Sequence, residues 1–473
     1  MTEPTAARPR HVIWMTSDHM RYDHVAANGN PFMITPALDR MVSGGTSFDA
    51  CYVQNPLCMP SRCSFMTGVY PPQSGVTHNG HCLPPDFEPH VATAFKRAGY
   101  QTAQIGKLHF QPHEELDFDP RPRHTYGFDV FWPSEERGNY SDPYYHWLEG
   151  KYPEYASALR VPRSTDPRRF DTEKNPVPVA APWQATHAGW IVDTACNFLR
   201  RRTADPQFLH LGFYNPHPPL RPVREAWELY EDREPPPRNA RTNEAEDKPA
   251  PLAALLQSRG DWSEEDFTQY RRGLGAMVTE MDLAIGWLLE RLEELGILDD
   301  TLLVFSSDHG DFAGDHHMTH KAEAFYDEVM RVPLVMHWPN GLGGEARRVG
   351  GLVEKLDAMP TMLGLCGSTP PAAMQGLDLS PRLRSSEQAD NIRDDVFAYH
   401  TGGRAMLRSE SLKYMRYEDT RTEALFDLEH DPGELHNVAN DPAYADRLRA
   451  CRERLLSRML VASDSVQQRI YRF

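Results

Sequence analysis

The chain has 473 residues, 40% hydrophobic and 25% charged, an ordinary globular composition with enough apolar residues for a sizeable core. Its formal net charge of -17 at pH 7 argues against nucleic-acid binding and against adhesion to an anionic membrane, so an anionic substrate would need a locally positive pocket. No run is apolar for long enough to span a bilayer, the run His11–Ser17 after the polar start Met1–Arg10 is only seven residues and reads as a strand, not a signal region, and seven scattered cysteines without CxxC spacing suit a reducing compartment, so a cytoplasmic protein is expected.

Short apolar runs alternating with helical patterns predict an α/β fold, a large mainly parallel sheet flanked by helices. His11–Ser17 reads as a strand ending at Asp18. Cys58 stands just before Pro60, at the first turn of a helix. Val91–Ala98 reads as a short helix and Gln101–Ile105 as a strand ending at Gly106-Lys107. Residues 111–185 have little periodicity and are expected to form an insertion, a lid or an oligomer contact. Its aromatics Tyr126, Trp132, Tyr140, Tyr144, Tyr145 and Trp147 either stack on a substrate ring or pack the lid. Trp190–Arg201 is helical and Gln207–Phe213 a strand. A second insertion, 231–262, holds Pro235-Pro236-Pro237 and the charge run Glu244–Lys248, which reads as a solvated face. Glu264–Glu294 is a long helix by the spacing of Leu283, Trp287, Leu288 and Leu292. Thr301–Ser306 is a strand running into Ser307-Asp308-His309. After residue 385, Val396–Tyr399, Ala405–Leu407, Leu412–Tyr417 and Ala424–Leu428 suggest an antiparallel meander, followed by a helix over Pro442–Leu460. The expected division is an α/β catalytic domain over 1–385 and a smaller α+β subdomain over 386–473, with an antiparallel sheet and a helix.

The polar motifs all follow strand ends, and in open α/β sheets ligands bind at that carboxyl edge. In Cys58-Met59-Pro60-Ser61-Arg62 the helix start offers free N–H groups and a positive dipole end, which suit sulfate or phosphate. Arg62, one turn on, can reach back to the same anion. The structural alternative is a half-buried cysteine at a helix start. Cys51, Cys196, Cys366 and Cys451 read as packing residues.

Cys58-x-Pro-Ser-Arg62 followed by Thr67-Gly68 resembles the formylglycine signature of the type I sulfatases, members of the alkaline phosphatase superfamily. Companion motifs in the family's order extend the resemblance from Val12 to about Ala439. It implies that a formylglycine-generating enzyme converts Cys58 to an aldehyde whose hydrate is the nucleophile. Ser17-Asp18-His19 and Ser307-Asp308-His309-Gly310 then provide a site for one divalent metal, with Asp18, residue 58, Asp308 and His309 as ligands. Helix N-capping is the alternative role for Asp18 or Asp308. His19 departs from the second Asp of many sulfatases; it can ligate, bond from behind a ligand or point away. Calcium is the first choice of metal, and the imidazoles make Mn²⁺ or Zn²⁺ the alternative.

Gly106-Lys107-Leu108-His109-Phe110 resembles the family's Gly-Lys-x-His element, in which the Lys holds sulfate and the His takes a proton from the formylglycine hydroxyl. Two residues apart on an extended segment, Lys107 and His109 would face one side. In Asn215-Pro216-His217-Pro218-Pro219 the flanking prolines fix the His217 backbone. By resemblance His217 and Lys321 contact the sulfate and assist the leaving oxygen. His78 and Asn79 are candidates to line the pocket, whereas His81, His113, His316, His317 and His320 have no assigned role.

The expected activity is hydrolysis of a small aryl, alkyl or sugar sulfate ester. A phosphonate monoester or phosphodiester hydrolase with the same site is the alternative, favoured by Asp308-His309 and the missing second Asp. Lys107-x-His109 favours a sulfatase, and the Gly106–Phe110 run resembles choline sulfatases. A catalytically silent binding module is the alternative of another class, opposed by the completeness of the site. A homo-oligomer is expected by analogy, with the tail Ser463–Phe473 able to reach a neighbour.

Overall fold

The fold is described from a computed structural model covering residues 8–110, 124–135, 141–161, 172–201, 205–385 and 392–464. Among the described residues nine strands form the main sheet: β1 (His11–Asp18), β2 (Thr46–Tyr52), β3 (Gln101–Gly106), β4 (Val130–Pro133), β5 (Gln207–Pro216), β6 (Thr301–Ser307), β7 (Arg331–Val332), β8 (Leu334–His337) and β9 (Arg347–Glu354). Their order is β4-β3-β5-β1-β6-β8-β2-β7, with β9 also beside β2. β1 lies between β5 and β6 and runs parallel to both. All eight of its residues are buried, which explains a run without polar alternation. Strand β8 is antiparallel to β6 and to β2. The two reversals cancel, so β2 runs with β1 and β6, and the chain leaves β2 on the edge where those strands end.

The sheet divides two cores. Val12, Trp14, Phe208, Leu302 and Val304 face one, while Ile13, Met15, Leu209, Leu211, Leu303 and Phe305 face the other. Alternate residues of the same strands thus fill opposite layers, as the strand period of two requires. The helix Glu264–Glu294 covers the second face and starts with a capping box between Ser263 and Asp266.

β10 (Asp395–His400), β11 (Arg404–Ser409), β12 (Leu412–Tyr417) and β13 (Thr422–Asp427) form a separate antiparallel meander. The helix Ala445–Ser463 packs on it through Leu448 and Leu455. Glu354, the last residue of β9, links the two sheets: it accepts from Phe397 N (2.8 Å), Arg458 (2.6 Å) and Tyr70.

Several expectations need correction or completion. Glu244–Lys248 is not a solvated face: Glu244 is buried against His316, and Lys248 is buried with Nζ donating to Leu435 O. The run is clamped between the loop 315–317 and the segment after β13, which pairs Glu244, Asp247 and Lys248 internally, while Glu246 stays exposed. Tyr126 and Tyr144 are buried in the cores and take the packing role, while Tyr140 and His113 lie outside the described residues. So do parts of the 111–185 insertion and most of the C-terminal tail. Cys51, Cys196 and Cys366 are buried free thiols and Cys451 is partly exposed. Among the described residues no helix is long and apolar enough to cross a membrane.

Candidate active site

The sheet register brings the motifs together. Ser17 is paired with Ser307 across β1 and β6, and Gly106 with Gly212 across β3 and β5. Asp18, Lys107, His217 and Asp308 therefore emerge on one edge. The loop after β2 delivers Cys58 to the same place, as the first residue of the buried helix Cys58–Thr67.

Cys58 Sγ lies 3.1 Å from His309 Nε2, 2.7 Å from Lys321 Nζ and 3.8 Å from Asp18 Oδ1. Donor atoms of Asp18, His19, Cys58 and His309 lie within 4.8 Å of one another. Burial, then the Asp18 carboxylate, pushes the Cys58 thiol up to about 11. Unmodified, it stays protonated near neutral pH and is a poor nucleophile. Burial alone would raise the Asp18 carboxyl, but Lys107, His217 and Arg62 together hold it well below the usual range. Lys107 Nζ is 2.6 Å from Asp18 Oδ2.

Arg62 is fully buried. Its Nε donates to Asp308 Oδ2 at 2.9 Å, Nη1 donates to Lys107 O at 3.2 Å, and Nη2 is 3.6 Å from Asp18 Oδ2. It thus braces two strand ends and the Lys107 segment. Asp308 Oδ1 accepts the backbone N–H groups of His19 (3.2 Å) and His309 (2.9 Å). Its Oδ1 is 3.8 Å from His309 Nε2, at the border of the four-residue donor group.

Three imidazoles are oriented the same way. A carbonyl or carboxylate oxygen only accepts, so the ring nitrogen beside it carries the proton. His309 Nδ1 donates to Gly310 O (2.8 Å), His19 Nδ1 to Asp311 Oδ2 (3.1 Å) and His217 Nδ1 to Pro218 O (2.6 Å). In the neutral form each ring keeps its lone pair on Nε2. For His309 this nitrogen lies 3.1 Å from Cys58 Sγ, and for His19 it lies 3.8 Å from Asp18 Oδ1. Burial, reinforced by Lys321, holds His19 well below the usual histidine range, hence neutral. The His217 ring packs on that of His19 with centroids 4.3 Å apart.

Lys321 comes from the loop after β6 and bridges Cys58 to His19, donating to His19 Nε2 at 2.8 Å. His109 is buried, but the extended-strand argument for its direction fails. Its φ of 59° turns the chain, and its N–H is held by Glu135 Oε1 at 3.0 Å. The contacts described around Cys58 come from Asp18, His309 and Lys321.

Sequence reasoning missed four supporting residues. Asp311 orients His19 and is itself held by Tyr270 OH at 2.8 Å. Its only signal is its place two residues after His309. Glu135 ties down both Leu108 and His109, Lys355 donates to Ser307 O beneath the strand end, and Glu280 holds the Asn215 amide at 3.0 Å. None of these stands beside the motif it supports in sequence.

A buried cysteine at a helix start, with a carboxylate, two imidazoles and three cations gathered at the carboxyl edge of a mostly parallel sheet, defines a hydrolase-type anion site beside donor groups of a kind that could hold a cation. The comparisons carry this to a family. The sulfatase family model matches residues 10–368, and that of the C-terminal region of N-sulphoglucosamine sulphohydrolase matches residues 314–460. The chain belongs to the sulfatase family, within the alkaline phosphatase superfamily.

It is 29% identical to an arylsulfatase of Clostridium perfringens, over 95% of this chain and 94% of that protein. It is 28% identical to the multifunctional alkaline phosphatase superfamily protein PehA of Trinickia caryophylli, over 96% of each. Among solved structures, a phosphonate monoester hydrolase of Agrobacterium radiobacter superposes with a TM-score of 0.83 at 28% identity, covering 96% of both chains.

Proposed function

We propose that this protein hydrolyses sulfate esters, releasing inorganic sulfate and an alcohol, with formylglycine made from Cys58 as nucleophile and one divalent metal. The observation that carries the reading is the position of Cys58, buried at a helix start between Lys321 and the Asp18–His309 pair. The Sγ atom stands in for an oxygen of the modified residue. The donor set fits a divalent cation: one carboxylate and two imidazole lone pairs converge on that atom, with the Asp308 carboxylate at the border. Two nitrogen donors favour Mn²⁺ or Zn²⁺ over Ca²⁺. When bound, the cation would offset charge on the anionic ester and acidify a hydroxyl.

The chain's own residues do the rest. Arg62 fixes Asp308 and the Lys107 carbonyl, so the site keeps its shape as charge develops. Lys107 and Lys321 bind the sulfuryl oxygens. A hydroxyl of the hydrated aldehyde attacks sulfur, the sulfur–oxygen ester bond breaks, and Lys321 or His217 gives a proton to the departing alcohol. The second hydroxyl then loses its proton to His109, the carbon–oxygen bond to sulfate breaks, and the aldehyde re-forms. His19 stands between the two functions: its single Nε2 lone pair accepts from Lys321 here, and would serve a bound cation in place of that hydrogen bond. Maturation calls for a formylglycine-generating enzyme, and the substrate is a small aryl, alkyl or sugar sulfate.

A phosphonate monoester or phosphodiester hydrolase is the second reading, favoured by the TM-score of 0.83 and by the Asp308-His309 pair. Matched aryl sulfate and aryl phosphonate esters separate the two. A higher kcat/KM for the sulfate ester supports the first reading, and a preference for the phosphonate replaces it with the second.

A further inference from the structure

We propose that His78, Glu323 and His400 form a second divalent-metal site, of the zinc class, where the meander sheet meets the loops around the active site. The three come from separate parts of the chain. His78 lies beyond the helix Cys58–Thr67, and the neighbouring Asn79 side chain accepts from Met59 N at 3.0 Å. Glu323 lies two residues beyond Lys321, and His400 ends β10. Their donor atoms lie within 4.8 Å of one another. His78 Nε2 is 3.4 Å and His400 Nε2 4.0 Å from the same oxygen, Glu323 Oε1.

The tautomers follow from the backbone. His78 Nδ1 lies 2.7 Å from Asn79 O, and His400 Nδ1 lies 3.2 Å from Thr401 O. Both nitrogens must donate to those carbonyls, so both neutral rings aim an Nε2 lone pair at one carboxylate oxygen. Acceptors aimed at one another repel unless a cation sits between them. The His400 ring is buried, and among the described residues its Nε2 has no hydrogen-bond partner. A proton on His78 would satisfy Glu323 but leave that buried nitrogen unmatched, whereas a metal ion satisfies all three groups.

The surroundings suit such an ion. Arg404 binds the other Glu323 oxygen and is held in turn by Asp419 at 2.7 Å, which fixes the carboxylate's orientation. Two imidazoles and one carboxylate are a zinc-type set with the fourth position left to water. Tetrahedral bonds of about 2.0–2.1 Å place such donors about 3.3 Å apart, so modest side-chain movements close the site. His78 and Glu323 are partly exposed, which gives the ion a way in. Once bound, it would pin the end of β10 and the Lys321 loop to the segment after the catalytic helix. The proposal does not depend on the chemistry at Cys58.

The test counts metal in the full-length protein, stripped with a chelator and then dialysed against Zn²⁺. Wild type is expected to hold one more Zn²⁺ per chain than His400→Ala or His78→Gln, and to gain more in melting temperature on adding Zn²⁺. His430→Ala, in the separate Asp427–Glu429–His430 group, is expected to match wild type. An unchanged count in both His400→Ala and His78→Gln overturns the proposal, as does a loss that follows His430→Ala alone. Because His78 is partly exposed, its Gln variant decides the matter should His400→Ala fail to fold.

Discussion

At the scale of single residues, the site depends on buried charges that hold one another. Arg62 faces Asp308 at 2.9 Å and Asp18 at 3.6 Å, all without solvent. Removing one member of a buried ion group leaves its partners uncompensated, which costs about 3–5 kcal/mol. Arg62→Ala is therefore expected to lose stability of that order in denaturant melts, and a loss below about 1 kcal/mol would mean that other cations suffice. Asp311 tests the orientation of His19. Partners behind a ligand typically matter by about 10–100-fold in metal affinity or activity. Asp311→Asn is expected to fall in that range by metal titration, with Tyr270→Phe a weaker form of the same defect. Metal affinity equal to wild type in Asp311→Asn would remove His19 from the ligand set.

Legibility at this scale divided along the chain. Cys58, Arg62, Lys107 and Lys321 could be read because each sits inside a compact motif. Asp311, Glu135, Lys355 and Glu280 could not, because what they orient lies on other strands or loops. The backbone at His109 was misread for a local reason: an extended segment was assumed where the chain turns through a left-handed residue.

At the scale of elements, close backbone contacts set the positions of the catalytic loops. A Cβ on Gly212 of β5 would lie 1.9 Å from Lys107 O, while Lys107 N donates to Gly212 O at 2.7 Å. Gly212→Ala must push the Lys107 segment off β5. It is expected to abolish turnover and to lower the melting temperature; full activity would show that Lys107 tolerates displacement. The capping box of the long helix is a contrasting case, remote from the site. Ser263→Ala is expected to cost about 1 kcal/mol in a melt and to leave kcat unchanged.

The strands β1, β5 and β6 were legible because burial on both faces makes them continuous apolar runs. The strand β2 was not, since its Thr-Ser-Phe-Asp-Ala-Cys-Tyr mixes polar groups into a partly covered strand. The meander could be read from four short apolar segments, and β12 has the bounds expected of it. The Glu244–Lys248 run was misjudged because its partners lie far along the chain, in the loop after β6 and beyond β13.

For the molecule as a whole, His316 adds a pH dependence. Burial alone would lower it, but Glu328 and Glu244 outweigh burial and lift it to about 10. A histidine raised above its unfolded value of about 6.5 stabilises the protein fully below that pH. The contribution is lost as pH rises through about 10. Wild type is therefore expected to lose stability between about pH 6.5 and 10 more steeply than His316→Gln. Parallel slopes in urea melts across that window would contradict the assignment. The pair joins the loop after β6 to the 231–262 segment, so its loss should loosen the loop that carries Lys321.

The net charge of -17 poses an apparent conflict for an enzyme of anionic esters. Arg62, Lys107 and Lys321 resolve it locally, because all three lie on the edge where Cys58 is held. Screening over roughly 8 Å at physiological salt leaves the distant surface charge little influence there. The proposed nucleophile depends on the chemical state of residue 58, which the mass of the peptide spanning it reports. The protein should be produced together with a formylglycine-generating enzyme. A mass below that of the cysteine peptide by the thiol-to-aldehyde difference is expected, in a protein that cleaves an aryl sulfate and loses turnover as Cys58→Ala. An unmodified cysteine in protein that still turns over the ester would contradict it.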